Sequence, residues 1–128
     1  MIKYGGDLLC IEGLAGDTHS HIEEIARRVM LIKQVRKEVG RERLLLLDAG
    51  DVFSGTPYFT IYKGSADVRF MNYAGYDAMT LGNHEFDMGP KPLASFIEKA
   101  RFPVLCANFD FSKEEDIPIH YLATIQQL

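Results

Sequence analysis

The chain has 128 residues, 47% hydrophobic and 25% charged, with a net charge of −4. That size suits one domain with a real core, and the composition excludes both a disordered polymer and a bilayer-spanning chain, since no apolar run approaches the roughly 20 residues a membrane needs. Acidic and basic residues are mixed along the chain, which excludes the basic footprint of a nucleic-acid groove.

Residues 7–14 read as a first strand. Ser20 and Glu23 have the spacing of a capping box. Ile22, Ile25, Val29, Ile32 and Val39 then recur at helical spacing with charged residues off the stripe, and Gly40 supplies the stop. Residues 44–47 are four consecutive leucines, the pattern of a parallel strand covered on both faces. They run directly into Asp48-Ala49-Gly50-Asp51. Thr56-Pro57 suits a helix start, and Ser65 can cap a second helix through Tyr73 that ends at Gly75. Residues 77–81 form a third strand. Residues 90–100 place Leu93, Phe96, Ile97 and Ala100 on one helical face, and residues 102–107 form a fourth strand. A polar break at residues 112–116 precedes an apolar tail.

Strands alternating with helices predict an α/β fold: a mostly parallel sheet, right-handed crossovers, and functional residues gathered beyond the carboxyl ends of the strands. Cys10 and Cys106 lie inside apolar strand runs and read as buried core residues, not as a disulfide. Tyr58, Phe59, Tyr73 and Tyr76 read as core or loop packing, and His21 and His120 as surface or packed residues.

Three motifs fall where a strand gives way to a loop. In extended chain, residues two apart point the same way, so Asp17 and His19 can offer one oxygen and one nitrogen to a metal ion; a capped turn before the first helix competes with that reading. Asp51 follows a glycine, and its two carboxylate oxygens suit it to bridge two cations; a turn aspartate is the alternative. Asp48 fits a supporting role. In Gly82-Asn83-His84-Glu85-Phe86-Asp87, Asn83 offers a neutral amide oxygen and Gly82 allows close backbone approach. His84 can face a substrate while Asp87 accepts its other ring proton, an arrangement that stabilises charge on phosphoryl oxygens or protonates a leaving group. The competing reading is a loop that caps the helix at Pro90.

Together with the surrounding residues 16–21, 47–57, 71–87 and 102–108, these motifs resemble the calcineurin-like metallophosphoesterases, and within them the branch of 5′-nucleotidases and 2′,3′-cyclic phosphodiesterases. The resemblance implies metal-assisted, in-line hydrolysis of phosphate esters such as nucleotides at two divalent ions, Mn²⁺, Zn²⁺ or similar. Asp17 and His19 would bind one ion, Asp51 would bridge, Asn83 would bind the second, and His84 with Asp87 would assist the chemistry. Residues 1–128 would then be a single partial domain, about half of a metallophosphoesterase α/β sandwich. The family takes further histidines from Gly-His and Gly-His-x-His motifs, and nothing after Asn108 matches them. The expectation is therefore half a site, a weakly held second ion, and a C-terminal complement or self-association to cover an open sheet face. The alternative is a non-catalytic interaction module that keeps the fold. Relatives are often exported, whereas residues 1–7 lack the organisation of a signal peptide.

Overall fold

The computed structural model describes residues 2–3, 8–11, 21–53, 61–118 and 122–123. Six strands, β1 (Ile2–Lys3), β2 (Leu8–Ile11), β3 (Leu45–Asp48), β4 (Ala78–Thr80), β5 (Val104–Leu105) and β6 (Leu122–Ala123), form one sheet in chain order. β1 is antiparallel to β2, and every later pair is parallel. The connecting helices are α1 (His21–Val39), α2 (Ser65–Ala74) and α3 (Pro90–Lys99). The expected α/β fold with a mostly parallel sheet is the one observed. Among the described residues no helix is long and apolar enough to cross a membrane.

Crossovers of one hand between parallel strands laid down in chain order put their helices on the same side of the sheet. α1 packs on α2 and α2 on α3. Their inner faces bury Ile32, Val68, Met71, Leu93, Phe96 and Ile97 in one core with Leu46, Met79 and Val104 of the sheet, and Val35 of α1 is buried as well. Val35 extends the apolar stripe anticipated for α1. Burying each such side chain contributes roughly 1.5–3 kcal/mol.

The leucine run departs from expectation. Leu46 is fully buried, but Leu45 and Leu47 are 45% and 37% exposed, so β3 is covered on one face and not on both. Side chains alternate along a strand, and the described helices pack on the face that buries Leu46.

The helix ends show how distant elements are joined. α2 stops at Gly75, whose φ of 73° is left-handed and whose N–H donates to Met71 O. The Arg36 guanidinium of α1 donates to the carbonyls of Ala74 and Gly75, satisfying acceptors the helix end leaves over. Asn72 donates to Lys99 O and accepts from Arg101 N, both at 2.8 Å, and so ties α2 to the end of α3. Ser65 does not cap α2. Gly64 holds that position, and the Ser65 hydroxyl donates to Tyr62 O at 2.7 Å. Tyr76 is buried as expected, but Tyr73 is 67% exposed and accepts a hydrogen bond from Lys33. Cys106 is a free, buried core residue; the Cys10 side chain and residues 56–59 lie outside the described residues. The apolar tail, unassigned from sequence, buries Ile117 and adds β6 to the sheet edge.

Candidate active site

Asp48 pairs in register with Met79, so the loops after β3 and β4 leave the sheet side by side. Asp48 Oδ1 accepts the Gly50 N–H at 3.0 Å, forming a side-chain-closed turn. Burial pushes the Asp48 carboxyl above its ordinary value and the charge of Glu85 adds to this, against the Gly50 hydrogen bond and Arg28. The turn carries the chain through two left-handed residues, Gly50 at φ 91° and Asp51 at φ 62°. Aspartate is among the few residues that tolerate that region.

The two loops then touch through backbone. A Cβ on Gly82 would overlap the Asp51 carboxylate, and one on Gly50 would overlap the Gly82 backbone. Glycine at both positions is what allows the approach. Asp51 Oδ1 accepts the backbone N–H of His84 at 3.1 Å. His84–Phe86 is a single 3₁₀ turn preceded by Asn83.

His84 Nδ1 lies 2.7 Å from Asp87 Oδ2. An ionised carboxylate only accepts, so the ring donates from Nδ1 and its other nitrogen, Nε2, remains for a substrate. The hydrogen bond to Asp87 holds the His84 pKa above its ordinary value, with the charges of Asp87, Asp51 and Glu85 adding to it and desolvation opposing. Both side chains are about half exposed, at 43% and 50%. The α3 helix is not capped by this run: Gly89 precedes Pro90, and no side-chain cap bond is made there.

Aromatic packing fixes the flanks. Phe53, just past Asp51, meets Phe96 of α3 edge-on at 5.3 Å, and Phe86 packs on Phe109 at 4.7 Å.

Glu85 carries more of the geometry than the sequence suggests. It is fully buried, and its carboxylate accepts the backbone N–H groups of Asp51, Val52, Phe53 and Gly82. Its only sequence signal is an acidic residue inside a glycine-led loop, because three of the four donors lie more than thirty positions away.

The structure brings Asp51, Asn83, His84 and Asp87 to neighbouring loops at one edge of the sheet. Asp17 and His19, and with them the separation of residues 17 and 51, lie outside the described residues. Among the described residues no group of three or more His, Cys, Asp or Glu side chains is arranged to hold a metal. By donor chemistry a carboxylate such as Asp51 and an amide oxygen such as Asn83 are suited to a divalent cation, and the Asp51 carboxylate occupies the space that a side chain at position 82 would need.

The calcineurin-like phosphoesterase family model matches residues 13–121. The chain belongs to that family. It is 47% identical to the trifunctional nucleotide phosphoesterase protein YfkN of Bacillus subtilis, over 77% of this chain and 8% of that one. It is 49% identical to the 5′-nucleotidase of Rattus norvegicus, over 66% of this chain and 14% of that one. The crystal structure of a 5′-nucleotidase precursor from Thermus thermophilus superposes with a TM-score of 0.67 at 53% identity, covering 72% of this chain and 18% of that one. The chain thus spans a small part of these relatives' lengths, and its parallel sheet with helices is an α/β metallophosphoesterase fold.

Proposed function

We propose that this chain is the N-terminal part of a metal-dependent phosphohydrolase that cleaves nucleotide phosphate esters, with Asp17, His19, Asp51 and Asn83 as metal ligands and His84 and Asp87 as the catalytic pair. The observation that carries this reading is the 2.7 Å His84–Asp87 hydrogen bond on a turn whose backbone is held by Asp51 Oδ1. The nucleotide phosphoesterase and 5′-nucleotidase relatives support the substrate class.

Two divalent cations, Mn²⁺, Zn²⁺ or similar, supply an activated water and neutralise the phosphoryl oxygens when bound. The chain's own residues do the rest. Asp51 would hold the cations through its carboxylate, and Asn83 would contribute a neutral oxygen that adds no charge to repel an anionic substrate. Asp87 keeps the Nδ1 proton in place and so orients Nε2 towards the phosphoryl group. A protonated His84 stabilises the charge developing on the phosphoryl oxygens or gives its proton to the leaving oxygen.

With these four side chains alone the second ion would have two protein ligands, fewer than a catalytic site uses. The missing ligands come from a C-terminal complement, which also covers the sheet face bearing Leu45 and Leu47. Those exposed leucines equally motivate a second reading, an interaction module without activity.

Phosphate release from nucleoside monophosphates in Mn²⁺, by the chain joined to its complement, tests the proposal. Asp51→Ala is expected to abolish turnover; full activity in that variant removes the bridging assignment. Robust turnover by the chain alone eliminates the interaction module.

A further inference from the structure

We propose that Glu85 is the positioning residue of this site, a buried strut that sets the loop carrying Asp51 against the turn carrying Asn83 and His84. The inference rests on the proposed metal-dependent phosphohydrolase and deepens it.

Among the described residues Glu85 is the one charged side chain that is fully buried. An ionised carboxylate out of water is costly unless its lone pairs are filled. Oε2 accepts from Asp51 N at 2.9 Å and from Gly82 N at 2.6 Å, so a single oxygen links the two loops. Oε1 accepts from Val52 N at 2.6 Å and Phe53 N at 3.3 Å. Three successive amides converging on one anion form a nest, here occupied by the chain's own carboxylate.

The placement of the donors separates this from ordinary core satisfaction. All four sit on the two site loops, and none on a helix or strand that builds the core. Asp51 is held at a φ of 62°, a conformation that persists where surroundings over-determine it. Glu85 supplies that constraint on the N–H side, while the His84 N–H fixes the Asp51 carboxylate. Displacing Glu85 therefore moves a metal ligand relative to the catalytic turn. Being buried, Glu85 does not touch substrate and acts through Asp51 and Gly82.

Glu85→Gln keeps the shape but sets an NH₂ group against two N–H donors. Mn²⁺ affinity of the 128-residue chain, read from the electron paramagnetic resonance of free Mn²⁺, is expected to fall at least about tenfold, as losses in the shell behind metal ligands do. Amide exchange is expected to rise at residues 51–53 and 82 and to stay unchanged across α1 and α2. Wild-type chain gives a second test that needs no variant. Coupling is reciprocal, so Mn²⁺ must slow exchange at those same four amides. Equal Mn²⁺ affinity in wild type and Glu85→Gln overturns the strut and leaves the phosphohydrolase reading standing. If the variant does not fold, unchanged wild-type exchange at residues 51–53 and 82 on Mn²⁺ binding overturns it instead. Wild-type chain that neither binds Mn²⁺ nor releases phosphate with its complement overturns the functional reading, and the strut falls with it.

Discussion

Asp48 lies beneath the turn that presents Asp51, and its environment disfavours its charge. Burial raises its pKa, with Glu85 adding and Gly50 and Arg28 opposing. The folded chain therefore holds this proton more tightly than the unfolded chain does. Between the ordinary carboxylate value and the raised folded value, stability declines as pH increases, and at neutral pH the charge is a net cost. Asp48→Asn keeps an oxygen for the Gly50 N–H and removes that cost. Its melting temperature at pH 7 is expected to exceed wild type by about 3 °C, the shift roughly 1 kcal/mol produces in a chain of this size. The gain should shrink as pH falls towards the ordinary carboxylate range. Thermal melts across pH check this, and a gain independent of pH would rule out charge burial as its origin. Asp48 was legible as a supporting residue because its turn is local, and so was the pairing of His84 with Asp87, three positions apart. Glu85 was not, because the loop that meets it is distant in the chain.

The ends of α2 and α3 are fixed by groups on other helices, and this is where a small change reaches furthest. Gly75 adopts a left-handed conformation that costs other residues about 1–2 kcal/mol. A Cβ there would also lie 3.1 Å from the Arg36 guanidinium that caps the α2 carbonyls. Gly75→Ala is thus expected to lose about 1–2 kcal/mol or more, read from urea denaturation with an unchanged slope. An unaltered midpoint would mean that the cap is held by Arg36 alone. Gly75 was identifiable as a stop, and α1 and α3 were identifiable by their apolar stripes, because helical periodicity repeats over several turns. β1 and β6 were not, since two-residue strands carry no pattern. Ser65 was misread as a cap because cap preference says nothing about where the preceding left-handed Gly64 starts the helix.

At the scale of the molecule, connectivity decides what is covered. Strand order follows chain order, the described helices pack on the face that buries Leu46, and the other side of β3 shows Leu45 and Leu47. Four leucines in a row announce a strand but do not say which layer covers its second face, and that layer is not formed by the described helices. If the C-terminal complement packs there, the 45% and 37% of Leu45 and Leu47 still exposed give it roughly 0.6–1.3 kcal/mol each. The double variant Leu45→Glu, Leu47→Lys should then weaken complement binding by about tenfold or more, since roughly 1.4 kcal/mol corresponds to one power of ten. Its circular dichroism should match wild type, because neither side chain supports the helical face. Sedimentation of the chain alone tests self-association at the same surface: concentration-dependent association in wild type should be abolished by the same pair of charges. Undiminished complement binding by the double variant would show that this sheet face is not the interface, whatever the loops above it do.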